Sequence, residues 1–290
     1  MTNLHDLARR FHALHVPGRP LVLPNAWDTA GARIIAEAGA AAIATTSAGV
    51  AWSLDAADGD RVDRAGALAR IARIAAAVDV PVSADIEGGY AVDADGVAAT
   101  VREVLDAGAV GVNIEDGPRP AAEHVRCIAA ARAAADAAQV PLFVNARIDV
   151  YLAGIGPVGD RLEETLRRAA ACIAAGADGI FVPGVVDPDT VEALAKGIGA
   201  PLNVLAGPGA PATTELGRLG AARVSVGSGI AQAVHGLVRA AAAELLTDGT
   251  YASLTGGYDY AELNALLGAD VRQRPSSGSG EPGKIGMKCL

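Results

Sequence analysis

Eight times along this chain a short apolar run gives way to a segment of helical period, and no single motif constrains the fold as strongly as that alternation. The apolar runs fall at residues 21–24, 41–46, 80–85, 110–115, 140–147, 179–183, 201–205 and 223–227. The helical segments fall at 29–38, 64–78, 94–107, 123–138, 161–175, 190–196, 213–219 and 230–246. Several helices end in one kind of step: Glu37-Ala-Gly-Ala40, Asp106-Ala-Gly-Ala109, Ala174-Ala-Gly-Ala177 and Arg218-Leu-Gly-Ala221. Glycine there fits a left-handed helix C-cap. Strand starts lie roughly 20 to 40 residues apart, the size of a βα unit. The predicted fold is α/β, a (β/α)8 TIM barrel, with a doubly wound open sheet as the alternative. Residues 258–267 predict an extra C-terminal helix beyond the eighth unit. Residues 1–270 are read as one barrel domain with that helix, and the Pro-, Ser- and Gly-rich 271–290 as a flexible tail.

The hydrophobic content of 51% over 290 residues supplies a large core, much of it alanine for close helix packing. A net charge of -9 argues against nucleic acid and anionic membrane as partners, because both require clustered positive charge. No signal-type apolar segment opens the chain, so a cytoplasmic protein acting on a small molecule is expected. Cys127, Cys172 and Cys289 are scattered singly, without metal-type spacing. Lysine occurs only at 196, 284 and 288, none at a strand end, which disfavours imine chemistry.

Catalytic groups of such barrels sit at the carboxyl ends of the strands, and polar residues gather there. Asn25, Trp27 and Asp28 follow the first run, Thr45, Thr46 and Ser47 the second, Asp85 and Glu87 the third. Asn113, Glu115 and Asp116 end the fourth, Asn145, Arg147 and Asp149 the fifth, and Asn203 lies in the seventh. Alternation places Ser83, Asp85 and Glu87 on one strand face, and Asn113 with Glu115 on another. Carboxylates so arranged repel one another, and a cation or proton offsets that repulsion. Asp85, Glu87 and Glu115 can converge on a hard divalent ion, Mg2+ or Mn2+. Arg147 is expected to be the only cation in this ring, placed to hold a carboxylate or a developing oxyanion. The alternative without a metal is an internal network of Arg147, Glu115 and Asp85.

Thr45-Thr-Ser-Ala-Gly-Val50, Ser53-Leu-Asp-Ala-Ala-Asp-Gly59, Ser83-Ala-Asp-Ile-Glu-Gly-Gly-Tyr90, Asn113-Ile-Glu-Asp116, Asn145-Ala-Arg147 and Gly176-Ala-Asp-Gly-Ile-Phe181 together resemble the isocitrate lyase/phosphoenolpyruvate mutase superfamily, in order, over about residues 21–246. The resemblance implies a Mg2+-dependent enzyme that takes a 2-oxo or 2-hydroxy acid and breaks a C–C bond beside an enolate. It implies Asp85 as the direct metal ligand, with Glu87, Glu115 and Asp58 holding waters around the ion. It further implies Ser47, Ala48 and Gly49 as the substrate-carboxylate cradle, with Asn113 nearby, and Arg147 steadying the enolate oxygen. Glu115 and Asp58 are grouped with Arg147 as catalytic candidates. A homodimer or homotetramer that exchanges its last helix is also implied.

The chain departs from that pattern after the fourth strand. A long loop carrying a catalytic cysteine or lysine is replaced by Asp116-Gly-Pro-Arg-Pro-Ala-Ala-Glu-His124. His124 and Cys127 are the nearby titratable groups, each more readily read as structural than as catalytic. P–C or P–O chemistry of the mutase or hydrolase type is the alternative reaction. A phosphate cradle at 206–210 and 227–229, or a barrel that binds a 2-oxo acid without turnover, are the further readings.

Overall fold

The computed structural model describes residues 3–59 and 61–269. The described residues fall into two compact units, divided between Gly257 and Tyr258. In the first, α1 (Leu4–Ala13) precedes β1 (Leu21–Leu23), β2 (Asn25–Ala26), α2 (Thr29–Glu37), β3 (Ile43–Thr45), α3 (Ser47–Ser53), α4 (Arg64–Ala75), β4 (Val82–Asp85), α5 (Ala94–Asp106) and β5 (Gly111–Glu115). There follow α6 (Ala121–Ala137), β6 (Phe143–Arg147), α7 (Arg161–Ala174), β7 (Gly179–Val182), α8 (Pro188–Gly197), β8 (Leu202–Leu205), α9 (Thr213–Arg218), β9 (Arg223–Ser225) and α10 (Gly229–Thr247).

All strand neighbours are parallel, in the order β1-β9-β8-β7-β6-β5-β4-β3-β2. The two outermost segments are consecutive pieces of one strand, divided at Pro24, which has no N–H to give a ladder. Its carbonyl still accepts from the Ala44 N–H at 3.1 Å. Nine segments therefore make eight strands, and the sheet closes as the predicted (β/α)8 barrel rather than an open sheet. Gly39, Gly108, Gly176 and Gly220, the glycines of the repeated step, have φ of 93°, 90°, 105° and 102°, as left-handed caps require. At the other end of the units, Asp28, Asp63, Asp93 and Asp187 cap α2, α4, α5 and α8 by accepting a backbone N–H three residues on.

Outward strand residues such as Val112, Ile114, Val144 and Ala146 meet Ile128, Ala131 and Ala135 of α6 in the main core. A second core, around Ala8 and Phe11 of α1, holds Leu21, Leu23, Ala42, Ala44, Val110 and Phe143 at the starts of the strands. Helix α1 thus plugs the amino-terminal end of the barrel, an element that the strand-helix alternation did not announce. Phe11 is fully buried and meets Phe143 edge-on at 5.5 Å. Gly111 is required beside it, since a Cβ there would lie 2.6 Å from Phe11 Cε1.

Helix α10 occupies the predicted eighth position but buries only Ala231, leaving Val234, Leu237, Val238, Leu245 and Leu246 exposed. The predicted extra helix is present in the second unit as α11 (Tyr260–Gly268), capped by Asp259, while the predicted tail at 271–290 lies outside the described residues. No described helix is long and apolar enough to cross a membrane.

Replacing the plug side chain, Phe11→Ala, is expected to cost about 3–5 kcal/mol, read from urea unfolding, because the closed barrel cannot collapse around the void.

Candidate active site

Parallel register carries the polar strand ends to one mouth. Asp85 is the Cα partner of Asn113, Asn113 of Asn145, and Glu115 of Arg147. Arg147 is the centre of this arrangement. Its Nη1 meets Glu115 Oε2 at 2.6 Å, while Nε and Nη2 grip both Asp149 oxygens at 2.7 and 3.1 Å. The guanidinium carbon also lies 5.9 Å from the Phe181 ring centre. Asp149 is fixed in turn, because its backbone N–H donates to Asp116 Oδ1 at 2.9 Å and Arg168 Nη1 donates to Asp116 Oδ2 at 2.7 Å.

Beneath the mouth runs a chain of amides. Asn145 Nδ2 donates to Asn113 Oδ1 at 2.9 Å and to Asn203 Oδ1 at 3.1 Å, and Asn203 Nδ2 donates to Ser225 Oγ at 3.1 Å. Arg223, fully buried, donates from Nη2 to Asn113 Oδ1 at 3.2 Å. Arg223 is thus a second cation inside the barrel, below the ring of strand ends in which Arg147 was expected to be the only one. An arginine opening the predicted strand run 223–227 was the available signal for it.

The electrostatics follow from burial. Desolvation pushes Glu115 up to about 8; Arg147 opposes this, while Asp85, Asp149 and Glu87 add to it. Desolvation also raises Asp85, against the pull of Arg147 and the backbone N–H groups of Glu87 and Ser47, with Asp58 raising it further. Burial would lower Arg147, but Glu115, Asp149 and Asp85 outweigh it and keep the guanidinium charged. Burial draws Arg223 down to about 9, with Asp85 opposing.

The predicted residues fall unevenly around this centre. Asp85, Glu115, Asn113 and Arg147 come together. Glu87 is buried at their side, but the regular strand ends at Asp85 and Glu87 takes φ 50°, so simple alternation does not extend to it. Asp58 sits in the exposed loop after α3, within electrostatic reach of Asp85. Ser47, Ala48 and Gly49 form the buried first turn of α3, whose N-cap Thr46 supplies no side-chain cap. Asp149 and Asp116, left out of the predicted site, prove to be the support of Arg147; spacing of two from Arg147 was the clue for Asp149. His124 lies behind the strands, with Nε2 on the Ile114 carbonyl and Nδ1 3.6 Å from Cys172 Sγ, and Cys127 is buried in the main core. The glycine-rich turns at 206–210 and 227–229 spend amides internally: Ala206, Ala210, Gly227 and Gly229 N–H all have protein acceptors.

Mg2+ fits this donor set in one particular way. All the candidate groups are oxygens, and crowded carboxylates pushed upward are what a divalent cation relieves. Among the described residues no three His, Cys, Asp or Glu side chains are gathered tightly enough to ligate directly. The arrangement suits an ion held by Asp85, without Glu115, Glu87 and Asp58 joining it in a direct three-ligand set.

A closed parallel barrel whose mouth gathers a carboxylate-clamped arginine and a buried aspartate at the carboxyl ends of its strands has the architecture of a barrel enzyme. The comparisons with known proteins name the family. A family model described as phosphoenolpyruvate phosphomutase matches residues 11–246, and the chain belongs to that family, within the isocitrate lyase/phosphoenolpyruvate mutase superfamily. An uncharacterised protein of Mycobacterium tuberculosis (strain ATCC 25618 / H37Rv) is 41% identical over 92% of this chain and 99% of its own. An oxaloacetate decarboxylase of Rhodopseudomonas palustris (strain BisA53) is 31% identical over 72% of this chain and 71% of its own. A crystal structure of phosphonopyruvate hydrolase in complex with oxalate and Mg2+ is 26% identical, with a TM-score of 0.78, covering 90% of this chain and 95% of that one. The expected assignment to the lyases of this superfamily holds.

Because Glu115 is raised from 4.5 to about 8 in the fold, the folded state binds the extra proton between those values. Unfolding free energy of the metal-free protein should therefore fall as pH rises from about 4.5 to about 8, and Glu115→Gln should flatten that slope in urea titrations.

Proposed function

We propose that this chain is a Mg2+-dependent carbon–carbon lyase of a small 2-oxo or 2-hydroxy acid, with oxaloacetate decarboxylation as its reaction. The observation that carries the reading is Arg147 locked between Glu115 and Asp149 beside Asp85 at the barrel mouth. In that reaction the C3–C4 bond breaks, CO2 leaves, and the electron pair passes through C3 to the 2-oxo oxygen. A proton from water then adds at C3 to give pyruvate. Asp85 would hold Mg2+, and the ion when bound would supply Lewis-acid stabilisation of the oxygen that gains charge, worth several kcal/mol. Three of the five Arg147 N–H groups are used by Glu115 and Asp149, which fixes the plane of the guanidinium and leaves two N–H groups for that oxygen. The first-turn N–H groups of Ala48 and Gly49, the Ser47 hydroxyl and the Asn113 amide receive the carboxylate, while the Ser47 N–H is turned to Asp85.

The short loop supports decarboxylation over phosphoryl migration. Asp116 is held by Arg168 and the Asp149 N–H, and Arg119 donates to the carbonyls of Gly88 and Ala91. A segment pinned at both ends is a poor closing lid, and decarboxylation, whose last step takes a proton from water, needs no dry chamber. Phosphonopyruvate hydrolysis is the second reading, on the strength of the oxalate- and Mg2+-bound structural neighbour.

The same proposal includes a homodimer or homotetramer in the cytoplasm, in which a second copy covers the exposed apolar side of α10. A cavity of about 810 Å3 beside Leu14, Leu21, Val22, Ile35 and Ile230 offers apolar surface for it.

Oxalate should bind in calorimetry only with Mg2+, and Asp85→Ala should weaken it at least about tenfold. Pyruvate should appear from oxaloacetate. Absence of oxalate binding with and without metal would sink the mechanism; binding without turnover of any acid would make the protein a non-catalytic binder, and phosphate release from phosphonopyruvate would favour the second reading. In light scattering, Leu237→Glu with Val238→Glu should convert the oligomer to monomer.

A further inference from the structure

The least economical side chain in the barrel is Arg223. It lies fully buried at the start of β9, its guanidinium carbon 6.0 Å from the ring centre of Phe11, below the proposed site. Nη2 reaches Asn113 Oδ1, yet Nε and Nη1 have no hydrogen-bond partner. A buried charged group with unsatisfied donors is costly, and an apolar side chain of similar volume is commonly as stable or more so. Packing alone does not account for an arginine there.

We infer that Arg223 is a positioning residue acting through Asn113: it holds the amide with Oδ1 turned into the barrel, so that the Nδ2 hydrogens are left to donate to a substrate oxygen at the mouth. This rests on the substrate site proposed above. A guanidinium can only donate, so the Asn113 atom that faces it must be the acceptor oxygen. The far end of the amide chain agrees. Asn203 Nδ2 donates to the Val204 carbonyl at 3.0 Å, which turns Asn203 Oδ1 toward Asn145, and Asn145 Nδ2 then serves both Asn203 and Asn113 as donor. Asn113 Oδ1 is thereby occupied by two donors, and neither of its hydrogen bonds uses Nδ2. Asn113 is paired across the sheet with Asp85 and lies one pleat inward of Glu115, so a donor on it serves the same substrate as the metal aspartate. An asparagine turned the other way would present a carbonyl oxygen to a carboxylate and repel it.

The test is a double-mutant cycle on oxalate affinity in the presence of Mg2+, with melting temperature followed in parallel. Arg223→Met should melt no lower than the parent and bind oxalate roughly tenfold more weakly, the worth of one hydrogen bond to an anion. Arg223→Lys, which keeps a donor, should recover most of that loss. In an Asn113→Ala background, Arg223→Met should change affinity by less than about twofold. Parental affinity in Arg223→Met, or an undiminished loss in the Asn113→Ala background, would overturn the inference. If the parent itself binds no oxalate, the proposed function fails, and the positioning is judged instead on the Asn113 side-chain NH2 resonance, assigned by its disappearance in Asn113→Ala. That resonance should shift in Arg223→Met; an unmoved one overturns the inference.

Discussion

Mutual repulsion of carboxylates in the barrel mouth is the constraint to which the other arrangements answer. Asp85, Glu87, Glu115 and Asp149 are brought into a partly desolvated space, where burial raises Glu115 and Asp149 and neighbouring carboxylates raise both further. Arg147 offsets this only because it is held on three N–H groups, and it is so held because Asp149 is anchored by Asp116, which Arg168 anchors in turn. The outer layer of the barrel thus reaches the mouth through two ion pairs joined by the Asp149 backbone N–H. A free arginine on a strand end would swing between these partners; this one has its plane fixed.

The fold was legible because its signal is repeated. Eight alternations and four glycine-terminated helices gave independent statements of one unit, and the left-handed φ of those glycines shows what they were for. What repetition could not announce were elements used once. The plug helix α1 belongs to no βα unit, and Phe11 reads as an ordinary amphipathic residue until Gly111 and Phe143 are seen beneath it. Helix α10 has the composition of a core helix yet is largely exposed, a difference that apolar periodicity cannot resolve.

At the site, legibility followed the strand period. Asp85, Asn113, Glu115 and Arg147 lie on regular strands, so parity placed them together. Glu87 lies one turn of backbone beyond regularity, and a single positive φ breaks the rule that put it on the Asp85 face. Asp58 lies on a loop whose path no period describes. Arg223 escaped for another reason: parity identifies which side of a strand faces inward, but not how deep in the barrel an inward side chain lies.

Depth also bears on why the floor of this mouth is polar. Barrels of this kind ordinarily fill their interior with branched apolar side chains. Here Asn113, Asn145, Asn203, Ser225 and Arg223 occupy that volume, and Ser83 Oγ, Asn145 Oδ1 and two Arg223 nitrogens go unpaired. An apolar floor would be more stable, but it would surround Asp85 with a lower dielectric and push its carboxylate further toward the neutral acid, the form least able to hold a divalent cation. A floor of amides and one buried guanidinium works in the opposite direction, since Asp85 favours the charged state of Arg223 and Coulomb attraction is mutual. On this account the unsatisfied donors under the mouth are the stability given up to limit how far burial raises an aspartate inside a barrel.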